Sequence, residues 1–203
     1  MALKSKILIL GIIIFISIAG GCGGSNSVSQ RVDKETGIVI RHDSPRATVL
    51  SFFELISRGR AEEAYTLLTA SSMLELSEEE FKDIIRTTRT ESARLINVMP
   101  GSENDSLAVV AHIRLIPAGN KEEIALFGIE IVRKHKNLWY ISRNISEFGD
   151  KDKVQILENL ITFEDELLNT PDLFATLTEQ QQEQALKQLN TLYRAHQEAL
   201  EKF

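Results

Sequence analysis

The most constraining feature is the alternation of residue character from Leu107 to Ile116. Leu107, Val109, Ala111, Ile113 and Leu115 fall on one parity, and Val110, His112 and Arg114 on the other. Side chains of a strand point to opposite faces with a period of two, so this run predicts a strand with one apolar and one mixed face. Two further runs follow. In 123–133, Ala125, Phe127, Ile129 and Ile131 oppose Gly128 and Glu130; in 138–143, Trp139 and Ile141 oppose Tyr140 and Ser142. Residues 93–99, ending at the turn dipeptide Pro100-Gly101, give a fourth strand. Pro117-Ala-Gly-Asn120 and Lys134-His-Lys-Asn137 supply the later turns. Short turns between such strands predict an antiparallel meander, with helices on one side of the sheet.

Helical signals precede the strands. Ser44-Pro45 is a cap followed by a first-turn proline, and Val49, Phe52, Phe53 and Ile56 repeat at three and four. Gly59 stands where a C-terminal cap belongs. Ala61, Ala64, Tyr65 and Leu68 predict a short second helix. Ser77-Glu-Glu-Glu80 is a capping box opening a third, with Phe81, Ile84 and Ile85 on its apolar face. Upstream, 37–40 reads as a short strand.

Three helices followed by a curved meander, opened by Ser44-Pro45, Phe52-Phe53, Gly59 and Ala64-Tyr65 and closed by Leu138-Trp139-Tyr140-Ile141, resemble the nuclear-transport-factor-like superfamily, the cystatin-like α+β cone. The resemblance is to its small bacterial lipoprotein branch of uncharacterised function and spans 44–146. It implies a sheet wrapped around the long helix, leaving a pocket. Members include enzymes, binding modules and assembly domains, so the fold alone does not fix the function.

The start of the chain carries a separate signature. Lys4 and Lys6 precede the twelve-residue apolar run from Ile7 to Ile18, which is shorter than the roughly 20 residues a membrane-spanning helix needs. Ala19-Gly20-Gly21-Cys22 follows and resembles the lipobox of bacterial lipoproteins, with Ala19 where Leu is commoner. That resemblance implies a signal peptide over 1–21, cleavage between Gly21 and Cys22, and acyl chains such as palmitate on Cys22. Each buried CH₂ contributes about 0.8 kcal/mol, so two or three chains anchor firmly. An uncleaved anchor with an incidental cysteine is the competing reading. Residues 23–30 are small and polar, so 22–43 is expected to be a lipidated, flexible tether. Gly23 is not the Asp that commonly marks inner-membrane retention. The implied location is therefore the cell envelope outside the cytoplasm: the outer membrane in a Gram-negative cell, the outer face of the cell membrane in a Gram-positive one.

Cys22 is the one cysteine, so neither a disulfide nor a cysteine metal site is available. The chain carries 23 Lys and Arg against 29 Asp and Glu, a formal charge of −6, and losing Lys4 and Lys6 with the leader makes the rest more acidic still. Such a chain repels phosphate backbones, which argues against nucleic acid as a partner.

After Gly149 glycine disappears. Val154, Leu157, Leu160, Ile161, Leu167 and Leu168, then Leu186, Leu189, Leu192, Tyr193, Leu200 and Phe203, follow helical spacing. Thr170-Pro171 separates the two stretches, 172–177 reads as a short turn of helix, and Thr178-Glu-Gln-Gln181 is another capping box. The expected organisation is a cone-fold α+β domain over 44–149 and a helical hairpin over 150–203, packed over the mixed face of the sheet. The competing role for the hairpin is a partner-binding or dimer-forming arm.

Chemistry is sparse. None of His42, His112, His135 and His196 lies at a metal-ligand spacing. His42 and His135 are expected to be solvated, and His196 packed or half-exposed. His112 could form a polar cluster with Arg114 and Glu130. Related cone-fold enzymes use a His–Asp pair inside the pocket, but parity sets His112 opposite the apolar face and so outside the expected pocket. No catalytic residue, metal or cofactor is assigned; Cys22 is the one site residue. The sequence therefore predicts a membrane-anchored lipoprotein binding a small apolar ligand or a protein partner without catalysis. The alternatives are a hydrolase or isomerase of the cone type, and an assembly protein acting through its C-terminal helices.

Overall fold

The computed structural model describes residues 30–32, 39–87, 90, 92–100, 106–119, 122–143 and 145–203. The signal peptide expected over 1–21, its expected cleavage point at Gly21 and Cys22, and the stretch to residue 29 lie outside the described residues. Strands β1 (Gln30–Val32) and β2 (Val39–Arg41) pair antiparallel. Four helices follow: α1 (Pro45–Ser57), α2 (Ala61–Tyr65), α3 (Ala70–Glu75) and α4 (Glu78–Thr87). Then come β3 (Ser92–Pro100), β4 (Leu107–Gly119), β5 (Glu122–His135) and β6 (Leu138–Ser142), an antiparallel sheet in sequence order. Helices α5 (Asp150–Leu168) and α6 (Glu179–Leu200) close the chain, with a 3-10 turn at Pro171–Phe174 between them. The chain is a mixed α+β protein with six α-helices and a four-stranded antiparallel sheet among the described residues.

The local signals act as their chemistry dictates. The Ser44 hydroxyl accepts from the Ala47 amide at the start of α1. Gly59 adopts φ +73, and the Arg60 amide reaches back to the Leu55 carbonyl, closing the helix. Ser77 and Glu80 form their reciprocal cap, as do Thr178 and Gln181. Lys136 and Asn137, both with positive φ, make the two-residue turn between β5 and β6.

Four differences from expectation have physical causes. A fourth N-terminal helix, α3, stands between the second and third expected ones; it starts where the Thr69 hydroxyl accepts from the Ser72 amide. Strand β4 runs through Pro117 instead of ending before it. Its pairing with β3 begins at Leu115, so Pro117 lies where β4 has one neighbour and a missing donor costs no second ladder. The tether expected over 22–43 contains β2, and Ile40 is 2% exposed in the core beneath α1.

The fourth difference concerns the sheet faces. Parity holds, but helices cover both sides, and the hairpin takes the opposite side from the one expected. Leu107, Val109, Ala111, Ile113, Ala125 and Phe127 pack against α5 and α6 through Ile156, Leu160, Phe163, Leu167, Ala185 and Leu189. Ala108, Val110, Val132, Trp139 and Ile141 pack against Val49, Phe52, Phe53 and Ile56 of α1. The stripe of α5 and α6 facing the sheet is aliphatic with one phenylalanine, and it matches the aliphatic face. Helix α1 offers two adjacent aromatic rings, which can lie against the cations of the mixed face.

The outer edge of the sheet is also closed. Strand β6 pairs with β5 only over Ile131–His135. Beyond it, Gln184 and Gln188 of α6 take over: Gln184 Oε1 accepts from the Ala125 amide at 3.2 Å, Gln188 Oε1 accepts from the Phe127 amide at 2.8 Å, and Gln188 Nε2 donates to the Ala125 carbonyl at 3.0 Å. The side-chain amides thus replace a neighbouring strand. Along β6 the Trp139 amide donates to the His42 carbonyl and the Ile141 amide to the Leu67 carbonyl, while the Thr69 amide donates to the Ile141 carbonyl. Open edges invite pairing with other chains, and here backbone and side chains occupy them.

Replacing both Gln184 and Gln188 with Ala removes three hydrogen bonds. The expected loss is about 1–3 kcal/mol, with the Ala125 and Phe127 amides exchanging faster than those at the β4–β5 ladder. Hydrogen exchange read residue by residue checks this.

Candidate functional site

The mixed face of β4 and β5 carries the polar cluster. By register His112 sits opposite Gly128, Arg114 opposite Leu126 and Glu130 opposite Val110, all on the face that meets α1. The expectation that His112 lies on the side of the sheet away from α1 is therefore corrected. It is 2% exposed beneath α1, and the Phe53 ring lies 4.4 Å from its own, centroid to centroid. The reversed placement of the helices is the cause, because α1 covers the mixed face.

Gly128 makes room for that histidine. A Cβ there would lie 2.7 Å from His112 Cε1, closer than carbon atoms tolerate. His112 Nε2 and Glu130 Oε1 are 3.3 Å apart, and Arg143, just past β6, brings its guanidinium to 3.2 Å from the same oxygen. The guanidinium carbon of Arg143 lies 5.3 Å from the centroid of Phe52, and that of Arg114 lies 5.6 Å from Phe53. Successive phenylalanines of α1 thus each carry one cation. Arg143 belongs to the cluster although no sequence motif marks it; its signal is its position just past β6, within reach of Glu130.

The electrostatics follow from burial and neighbours. Burial alone raises the Glu130 carboxyl, but Arg143, His112 and Arg114 outweigh it and hold it below the ordinary range. Burial pushes the His112 imidazole down, against the pull of Glu130. Burial also lowers the Arg114 guanidinium. Near neutrality the cluster therefore holds one carboxylate, a neutral imidazole donating from Nε2, and two guanidinium cations. Arg114 Nε and His112 Nδ1 are buried without a hydrogen-bond partner among the described residues.

A second pair ties α5 to α6. His196 Nδ1 lies 2.9 and 3.0 Å from the two oxygens of Glu164, which is fully buried. Burial raises the Glu164 carboxyl, with His196 opposing it. His196 is thus packed, as expected. His42 is half-buried instead of solvated, its ring edge-on to Tyr140 at 5.4 Å, and His135 ends β5 in an exposed position. Among the described residues no three metal-ligating side chains converge, and no helix is long and apolar enough to cross a membrane.

No protein-family model matches the chain, and no curated protein matches it. Among solved structures it is similar to the solution structure of a SEC-C motif containing protein from Rhodopseudomonas palustris. The identity is 17%, over 49% of this chain and 76% of that one, with a TM-score of 0.43.

Two outcomes are expected of this site. Gly128→Ala should cost about 1–3 kcal/mol by overpacking, and the penalty should shrink when His112→Ala is present, because the clash partner is gone; denaturant titration of the four proteins of the cycle reads this. Acid should destabilise the fold in two steps. His112 and Glu130 both bind protons less readily folded than unfolded, so their contribution is in place at neutral pH. It is lost as pH falls below 6.5 for His112 and then below 4.5 for Glu130. Glu164 is raised when folded and has the opposite sign, offsetting part of the loss as pH approaches 4.5 from above. Urea midpoints across that range check the order.

Proposed function

We propose that the chain is an envelope lipoprotein held at a membrane by acyl chains on Cys22, and that its helix-covered sheet is a binding module of the cone class and not an enzyme. The observation that carries the second part is the engagement of Glu130. A general base must reach its substrate and titrate near the working pH. Glu130 is 5% exposed, is held ionised by its cations, and gives one oxygen to both His112 and Arg143. His112 lies under the Phe53 ring. The acid–base pair is spent on the interior, whereas Arg114 Nε has no acceptor among the described residues.

The cone reading is supported by α1 lying along the face of Ala108, Val110, His112 and Arg114, with the meander order β3-β4-β5-β6. The anchor is supported by the apolar run, the Ala19-Gly20-Gly21-Cys22 sequence and the small polar residues after it. An assembly arm made of the C-terminal helices has less support, because α5 and α6 are already committed to the aliphatic face and the β5 edge. The enzyme reading keeps one favouring observation, the contact between His112 and Glu130. It predicts turnover that dies with Glu130→Gln in a protein that still folds.

Cells expressing the full chain and given a clickable palmitate analogue should label the protein, and Cys22→Ala should remove the label and move the protein from the membrane to the soluble fraction. A labelled, membrane-bound Cys22→Ala protein would contradict the anchor.

A further inference from the structure

Beyond Glu130 the α1-facing side of the sheet is unbalanced in two ways. It carries two guanidinium cations for one carboxylate, and that carboxylate is satisfied by Arg143 and His112. Arg114 is largely buried, yet its Nε has no acceptor among the described residues. Arg114 and Arg143 thus share the one charge of Glu130, so a second anion arriving there gains both charge and a hydrogen bond. The second imbalance is apolar. Ile116 pairs with Ile124, next along the ladder from Arg114 with Leu126, and all three aliphatic residues share the Arg114 face. They are partly exposed and belong to neither core. Glu123 lies on the opposite face by parity, away from this strip.

We propose that this surface is a binding site for a carboxylate with a short aliphatic chain. The head group rests between Arg114 and Arg143, and the chain lies along Leu126, Ile116 and Ile124. Strand rise sets Ile116 about 7 Å beyond Arg114, the reach of a short acyl chain. The two phenylalanines of α1 hold the guanidinium groups in place, so the charge is pre-positioned before the ligand arrives. The cations set the head group and the partly exposed strip selects the tail. Arg143, more than a third exposed, is the entry side.

This inference rests on reading the domain as a binding module. The test titrates carboxyl-labelled octanoate into the full chain in lipid nanodiscs, with empty nanodiscs as reference, and follows the carboxyl resonance. Wild type should show saturable binding above the reference. Arg143→Gln should weaken it by about tenfold or more, the loss of one charge-assisted contact. Ile124→Glu should do the same from the far end of the strip, two residues along β5 from the Leu126 that faces Arg114. Acetate and octanol should each bind far more weakly than octanoate, since each lacks half of the match. Octanoate that never saturates, variants that bind as wild type does, or acetate binding as tightly as octanoate would each overturn the proposal. A negative result alongside retained capture of a defined protein partner would sink this ligand and leave the binding-module reading standing.

Discussion

One carboxylate decides how this interior can be built. Glu130 lies on the sheet face that α1 covers, and without its charge that face would bring Arg114 and Arg143 together with no counter-ion. With it, His112 can be buried neutral, Gly128 can give up its side chain to seat the ring, and Phe52 and Phe53 can close over the cations. Removing one partner of such a group costs more than the pair contributes, because the rest stay buried and uncompensated. The arrangement is therefore all or nothing, which suits a structural cluster better than a reaction centre whose charges must change.

The other side of the sheet has no such constraint and follows simple burial. Ile156, Leu160, Phe163 and Leu167 of α5 and Leu189 of α6 meet Val109, Ala111 and Ile113 with no charge between them. The buried acid there, Glu164, is answered by His196 across the two helices and not by the sheet. Helix α6 has a second task at the β5 edge, where Gln184 and Gln188 substitute for a strand. The C-terminal helices thus work as lid for one face and as edge for the sheet, which explains why they begin only a few residues after β6.

The strand runs, their parity and the helix caps are all legible in the sequence. Ser44, Gly59, Ser77 and Thr178 mark boundaries by local chemistry, and the alternation from Leu107 to Leu115 assigns faces correctly. Which helices cover which face is not legible, because that choice depends on matching surfaces far apart in the chain. The mixed face reads as an outside because it holds His112 and Arg114; their counter-charge, Glu130, sits on another strand, and Arg143 lies beyond the sheet. The glutamines of α6 read as ordinary solvated residues, since nothing local says that β6 is too short to cover β5. Helix α3 leaves no trace in the pattern because six residues carry too little periodicity to show.

For function, the consequence is a division of labour across one sheet face. Near β6 the charges satisfy each other and hold the fold; towards Ile116 and Ile124 the Arg114 Nε has no partner among the described residues and adjoins a partly exposed aliphatic strip. All of this depends on Glu130 being a permanent anion inside the protein. Carbon NMR of the side-chain carboxyl, selectively labelled and followed from neutral pH into acid, measures that directly. The expected result is a carboxylate still ionised at pH 4.5, the ordinary glutamate value, and titrating only below it. A Glu130 carboxyl that takes up its proton above 4.5, as burial alone would dictate, would contradict it.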